Sequence, residues 1–189
     1  MADLITLDEY KEYENITSTK EDLTLENIIP SVNQLVKTYC GNSIVDYYSV
    51  EKEETFSVNW ATKLLQLTES PANSISSILI RDSFTADYKT IEASEYYLDH
   101  STDTVFRVNR DWPIGLGSVK ISYFAGYESC PADLKLAVVD LITYYLRDEH
   151  KLRMSVVNST LENPSSGRGR SDVSFPDHIK RVLDLYKTL

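Results

Sequence analysis

The stretch that decides the fold is Val119-Lys120-Ile121-Ser122-Tyr123-Phe124-Ala125-Gly126-Tyr127, followed shortly by Pro131-Ala132-Asp133-Leu134-Lys135. In its first part, apolar residues at 119, 121 and 123 alternate with polar residues at 120 and 122. Because successive side chains of a strand point to opposite faces, this alternation predicts a half-buried β-strand.

A long helix is predicted directly after that strand, over residues 131–153. Pro131 suits the first helical position, Ser129 or Cys130 can cap it, and Asp133 lies in the first turn, where the helix dipole favours negative charge. One face is apolar and the far end is basic, through Leu134, Ala137, Val138, Leu141, Ile142 and Tyr145, and through Arg147, Lys151 and Arg153. Such a face must pack on another element.

The expected partner is a helix over residues 20–40, preceded by a short helix from Leu7 to Tyr13. Ser18 or Thr19 can cap the longer helix, and Gly41 is a typical stop signal. Its wide apolar face consists of Leu25, Ile28, Ile29, Val32, Leu35, Val36 and Tyr39. Pro30 lies within this pattern, so a kink or local break is expected near residues 26–30.

Between these helices the periodicity is that of strands. Eight candidates, bounded by Asn, Asp, Ser, Pro and Gly, are residues 44–50, 53–59, 63–68, 75–82, 88–91, 95–99, 104–108 and 118–124. The sequence therefore predicts an α+β fold in which helices near 20–40 and 131–153 pack together and an antiparallel β region, 44–127, is inserted between them.

The C-terminal part has a different composition. Residues 155–174 are rich in Ser, Asn, Gly and Pro and read as a flexible arm. The arm leads into a short amphipathic helix, whose apolar face consists of Phe175, Ile179, Val182, Leu183 and Tyr186. A helix this short is marginal in water and needs a surface to lie on.

Composition excludes several classes of protein. The chain of 189 residues has a formal net charge of −10, which disfavours binding to nucleic acid through phosphate contacts but suits a surface along which DNA slides without adhering. No run of about 18 apolar residues and no basic, apolar leader is present, so we expect no membrane span and a chain that stays in the cytoplasm in which it is made. Cys40 and Cys130 are far apart and suggest reduced, partly buried thiols.

No motif for catalysis, a metal or a cofactor is present in the sequence. His100, His150 and His178 are isolated, and Gly115-Leu116-Gly117 precedes a strand instead of a helix, so it predicts a turn. Arg168-Gly169-Arg170 reads as part of a linker. We expect a protein that is not an enzyme and that needs no cofactor. The 13 tyrosines favour contacts with other proteins, although an ordinary core would also use many of them.

The order of these pieces resembles the head–tail connector, or adaptor, proteins of long-tailed bacteriophages. The resemblance covers roughly residues 5–153. Beyond the opening stretch, it rests on Thr17-Ser18-Thr19-Lys20-Glu21-Asp22, Val36-Lys37-Thr38-Tyr39-Cys40-Gly41, Leu64-Leu65-Gln66-Leu67, Pro71-Ala72-Asn73-Ser74-Ile75-Ser76-Ser77-Ile78 and Tyr96-Tyr97-Leu98-Asp99. The segment 154–189 is longer than the corresponding segment in many members of this family.

The resemblance implies a structural virion protein of the neck. Its members look like subunits of a ring, here of twelve copies, that docks beneath the portal ring and carries a stopper or tail-completion protein. DNA would pass through the lumen without specific binding. The implied organisation is a connector domain, residues 1–153, with a helical core at 1–43 and 128–153 and a β insertion at 44–127, followed by an arm and terminal helix at 154–189.

Two sets of site residues follow as hypotheses. The arm and terminal helix would contact the portal or a neighbouring subunit through Leu161, Val173, Phe175, Ile179, Val182, Leu183 and Tyr186. The tailward or lumenal rim would be formed by Asp99, His100, Asp103 and Trp112. Two other classes stay open: a small β-rich module that binds carbohydrate or a host surface, and a hydrolase that uses clustered carboxylates.

Overall fold

The computed structural model describes residues 3–147 and 175–187. The helices are α1 Leu7–Tyr13, α2 Asp22–Cys40, α3 Ala132–Leu146 and α4 Asp177–Leu185. The strands are β1 Lys52–Val58, β2 Leu64–Gln66, β3 Ala72–Ile80, β4 Lys89–Thr90, β5 Tyr96–Asp99, β6 Thr104–Arg107 and β7 Gly115–Ala125, with a short 3₁₀ turn at Ala93–Glu95. The predicted α+β class is confirmed. The described chain divides into a helical unit, residues 3–40, 130–147 and 175–187, and a β unit, residues 41–129.

Capping residues that can be recognised in the sequence set the start of α1 and the end of α2. Thr6 caps α1, because its hydroxyl accepts from the Glu9 N–H while the Glu9 carboxylate accepts from the Thr6 N–H. At the C-terminal end of α2, Gly41 adopts φ +74°, a conformation that favours glycine and ends the helix. As predicted, α2 and α3 pack together. The buried residues of the two helices include Leu25, Ile29, Val32, Val36, Leu134, Val138, Leu141 and Ile142.

Two further predictions concern Pro30 and the end of α3. The helix α2 runs unbroken through Pro30, which lies at an exposed position, so the local break, one of the two alternatives expected there, is absent. The helix α3, as described, ends at Leu146, where the Arg147 N–H bonds to the carbonyls of Thr143 and Tyr145. The predicted continuation over 148–153 lies outside the described residues.

The terminal helix α4 packs on α2 and α3 of its own subunit. Ile179 and Leu183 are 1% and 0% exposed, and Phe175 is buried with its ring edge-on to Tyr39 at a centroid distance of 5.0 Å. Two short hydrogen bonds, both of 2.6 Å, fasten the helix: Tyr39 Oη donates to Asp184, and Tyr186 Oη donates to Asp133. The hypothesis that this apolar face awaits a portal or a neighbour is therefore wrong for Phe175, Ile179 and Leu183, because their side chains already fill the core of the subunit.

The β unit consists of two antiparallel sheets. One has the strand order β1-β7-β3-β4 and the other β2-β6-β5. Side chains from both sheets fill one core, so the sheets pack face to face, and the core includes Val58, Leu65, Leu67, Ile78, Ile91, Val105, Trp112, Val119, Ile121 and Tyr123. We call these the four-stranded and the three-stranded sheet.

The first and last segments of the β unit lie in close contact, at Ile44 and Gly126. At Gly126, with φ +94°, a β-carbon would lie 2.3 Å from the carbonyl oxygen of Ile44, so only glycine fits there. That carbonyl accepts from the Tyr127 N–H. The strand predicted over 44–50 is wrong: these residues form turns, with Ile44 at φ +64°. The burial of Ile44 and Val45 explains why they read as a strand.

Candidate assembly surfaces of the β unit

Trp112 is not a rim residue, which corrects the hypothesis made from the sequence. Its side chain is 1% exposed, its Nε1 donates to the Lys63 carbonyl at 2.9 Å, and the Arg107 guanidinium lies 5.4 Å from its ring. It also follows β6, whereas the other proposed rim residues precede that strand. The Trp-Pro turn looked like a surface feature in the sequence, but the indole fills the core between the sheets.

The remaining rim residues lie together in the β5–β6 hairpin and order it. The Asp99 carboxylate accepts from the Ser101 N–H and from the hydroxyls of Ser101 and Thr102, and these bonds hold the pKa of Asp99 below its usual range. Asp103 accepts from the Ala72 N–H at 2.7 Å, and His100 Nδ1 lies 2.9 Å from the Ala72 carbonyl. The hairpin is thus fastened to the start of β3.

Ionisable groups beneath the surface also have structural partners. Glu69, which is buried, accepts from the N–H and hydroxyl of Ser43 and pairs with Lys52 at 2.8 Å. In the helical unit, burial raises the pKa of the Cys40 thiol to about 11 and that of Cys130 to about 12, so both thiols stay protonated at neutral pH. Among residues 3–147 and 175–187, no group of three or more His, Cys, Asp or Glu could hold a metal ion. Within the same ranges, no helix is long and apolar enough to cross a membrane.

The outer face of the three-stranded sheet carries an apolar row. Leu65 and Val105 point into the core, so their strand neighbours Leu64 and Phe106 point outward, and the register places Leu64, Phe106 and Tyr97 side by side across β2, β6 and β5. Leu64 is 51% exposed and Tyr97 is 60% exposed. We call these three residues the apolar row.

On the outer face of the four-stranded sheet, polar residues of β7 lie opposite polar residues of the edge strand β1. Because Val119 and Ile121 point inward, Lys120 and Ser122 point outward, opposite Thr55 and Glu53 of β1. Lys120 pairs with Glu53 at 2.9 Å. Polar residues are the usual occupants of an outer face, so the apolar row on the opposite sheet is the departure that calls for a partner.

A second apolar feature projects from the β3–β4 loop. Arg81 donates from its three guanidinium nitrogens to the carbonyls of Gly117, Leu116 and Phe84, at 2.8, 3.0 and 2.8 Å. Its guanidinium carbon lies 4.6 Å from the Phe84 ring and 4.8 Å from the Tyr88 ring. Arg81 therefore orders the loop while Phe84 and Leu116 remain 65% and 67% exposed. We call Arg81, Phe84, Tyr88 and Leu116 the knob.

The knob lies on the side of the four-stranded sheet. The outward Lys120 places its ammonium 5.4 Å from the Tyr88 ring, and Tyr88 Oη donates to the Gly117 carbonyl at 2.7 Å. Consequently the knob and the apolar row occupy opposite sides of the β unit. Neither was identified from the sequence. The excess of tyrosine was the available signal, since Tyr96 points inward and Tyr97 outward, but only the strand register separates the two.

Comparison with known proteins gives one consistent result. The family model for head completion protein matches residues 3–189. A head completion protein of Escherichia phage T5 is 22% identical over 186 residues, which is 97% of this chain and 98% of that protein.

Solved structures of similar fold come from the necks of gene transfer agent particles. A chain in the neck of an empty particle, computed with C6 symmetry, has a TM-score of 0.63 at 16% identity, covering 98% of this chain and 90% of that one. A chain in the neck of the native particle, with C12 symmetry, has a TM-score of 0.61 at 15% identity and covers 97% and 88%. With its family matched over almost every residue, the chain belongs to the head completion protein family.

Proposed function

We propose that the chain is the repeating subunit of a ring of twelve copies in the neck, which docks beneath the portal ring and surrounds the DNA channel. The observation that carries the proposal is the family match over residues 3–189. The C12 and C6 symmetry of the necks that contain similar folds supports a ring. The exposed knob and apolar row agree with a subunit that is completed by its neighbours.

The proposed contacts with the portal involve residues 148–174, which lie between the two described ranges. Leu161 and Val173 lie outside the described residues and remain candidates for contacts with the portal or a neighbour. Of the other residues first considered, Val182 and Tyr186 are half-buried and Tyr186 bonds to Asp133, so they serve mainly to dock α4.

On the tailward side, the proposed partner is a stopper or tail-completion protein. Asp99, His100 and Asp103 remain proposed rim residues, ordered by their own hydrogen bonds. The net charge of −10 supports a lumen that DNA passes without adhering, because like charges repel within a screening length of about 8–10 Å.

Imaging and mass measurement test this function. Mass photometry and negative-stain microscopy of the purified chain, alone and with the portal ring of the same virus, should reveal rings of twelve copies on the portal. A stable monomer that does not bind the portal but binds a carbohydrate would favour the β-rich binding module instead.

A further inference from the structure

The two apolar features of the β unit have the relative placement that a closed ring needs. In a ring of more than two identical subunits, each contact is heterologous, so one surface of a copy meets a different surface of the next. The knob and the apolar row are different surfaces and lie on opposite sides of the face-to-face sheets. A subunit could therefore offer one of them to each neighbour.

We propose that the knob of one copy packs on the apolar row of the next copy and so forms the contact between subunits of the ring. The proposal rests on the ring assembly put forward above and names the surfaces that make it. Phe84 and Leu116 would cover Leu64, Tyr97 and Phe106 of the neighbour. Each side would remove from water the large apolar side chains that an isolated copy leaves exposed.

Charge favours another copy of this chain as the occupant of the row. Two exposed carboxylates, Asp82 and Asp87, lie within three residues of Phe84 in the β3–β4 loop, whereas an exposed basic residue, Lys63, directly precedes Leu64 of the row. Asp82 has one weak local contact, to Lys89 at 3.9 Å, which leaves most of its charge for a partner. Lys63 of the next copy would supply the opposite charge, although the whole chain is acidic.

The outward positions of the row are otherwise nearly uncharged. Gln66 and Thr104 lie beside it, hydrogen-bonded to each other at 2.9 Å. Asp99, at the far end, has its carboxylate engaged by Ser101 and Thr102. The row therefore presents few uncompensated carboxylates on this side to the acidic residues near the knob, which limits repulsion between the two copies.

The order of the knob favours tight packing. Arg81 spans three carbonyls of two separate chain segments, and Gly117 N–H donates to Ser57 Oγ at 2.9 Å, so the loop is fixed before any partner arrives. Binding by an ordered aromatic side chain costs little additional conformational entropy. Such anchors carry much of the affinity of protein interfaces.

Photo-cross-linking in assembled rings tests the contact directly. The photoreactive amino acid p-benzoylphenylalanine would replace Phe84, and isotopically heavy and light copies would be mixed before assembly. Heavy–light cross-links from position 84 to peptides containing Leu64, Tyr97 or Phe106 are expected. The same replacement at Trp60 is the matched control, since that ring is exposed in another loop, and it should not label the row.

A charge exchange provides an independent test. Asp82→Lys and Lys63→Asp should each weaken association between copies by about fivefold, and the double variant should recover most of the loss. Glu51→Lys, at an exposed carboxylate just before β1, should leave association unchanged.

The outcomes separate the two proposals. Rings that assemble while position 84 labels only a different protein, or nothing, would overturn the contact and leave the ring function standing. Failure of the unmodified chain to form rings with the portal would overturn the ring function itself. Lack of recovery in the double variant, with intact rings, would also count against the contact.

Discussion

The terminal helix α4 and the outer surface of the β unit both carry apolar side chains, but only the helix has a partner within the subunit. Phe175, Ile179 and Leu183 are buried against α2 and α3, whereas Leu64, Tyr97 and Phe84 remain largely exposed. From the sequence, only the first set was predicted to contact another protein. The difference assigns stability to the first set and leaves the second set available for contacts with another molecule.

The contrast has a physical origin. A helix of nine residues is not stable alone in water, so α4 gains its structure by covering its apolar face. The apolar row needs no such cover, because its backbone is already paired in a sheet and its inward neighbours fill the core. Exposed apolar residues on a stable sheet can thus be kept for another molecule.

The largest effect is expected for Leu183→Ala in α4. Removing this fully buried side chain should lower the free energy of unfolding by about 3 kcal/mol, through lost burial and the remaining cavity. Leu185→Ala, two residues along the same helix but 76% exposed, is the control and should change stability by less than about 0.5 kcal/mol. Urea denaturation measures both, and equal effects would contradict the docking of α4.

A smaller effect, on assembly and not on folding, is expected for Phe84→Ser. Association between copies should weaken at least about tenfold because an exposed aromatic anchor is lost, while the free energy of unfolding changes by less than about 0.5 kcal/mol. Analytical ultracentrifugation and urea denaturation of the same variant separate the two. Loss of stability without loss of association would reverse the assignment made above.

The effect of Gly117→Ala on the free energy of unfolding should lie between those of Leu183→Ala and Phe84→Ser. The residue has φ +57°, and a β-carbon would lie 2.7 Å from an Arg81 nitrogen, so alanine strains the backbone and displaces the guanidinium. We expect a loss of about 1 kcal/mol in stability together with weaker association, because the knob loosens. Ser76→Ala, at an exposed position of β3, is the control. Stability equal to that of the unchanged chain would show that Arg81 does not restrain this turn.

The smallest effect is expected for Glu9→Gln in the helical unit. Glu9 bonds to Lys135 at 2.7 Å and to the Thr6 N–H, and these contacts, the first of them the larger, lower the pKa of Glu9. Because a lowered carboxyl pKa stabilises the folded state above the unfolded pKa of about 4.3, the substitution should cost under about 1 kcal/mol at pH 7. The difference should shrink as pH falls through the lowered pKa. A constant difference between pH 7 and pH 3 would rule out this linkage.

Local elements were predictable where the signal lies within a few residues. Helix α1 has the predicted bounds because Thr6 and Glu9 satisfy each other, and α2 ends at Cys40 because Gly41 can adopt a positive φ. The turns at 44–50 were predicted as a strand because Ile44 and Val45 are apolar, as buried strand residues are, and both are indeed buried. Trp112 was misplaced because a Trp-Pro turn does not reveal which way the indole points.

The residues of the assembly surfaces could not be found in this way. The apolar row exists only because pairing brings Leu64, Phe106 and Tyr97 together across three strands. The knob exists because Arg81 reaches the carbonyl of Leu116, 35 positions along the chain. Neither relation has a signature within a short window of sequence.

The sequence by itself determined the α+β class, the helices and most strands, since hydrophobic period, capping residues and glycines act locally. Which apolar faces would be covered was decided only by the tertiary structure. Burial depends on what the rest of the chain brings to a surface, and that is set by long-range packing and strand register. For this protein, that step turned α4 into part of the core and left the knob and the apolar row for its neighbours.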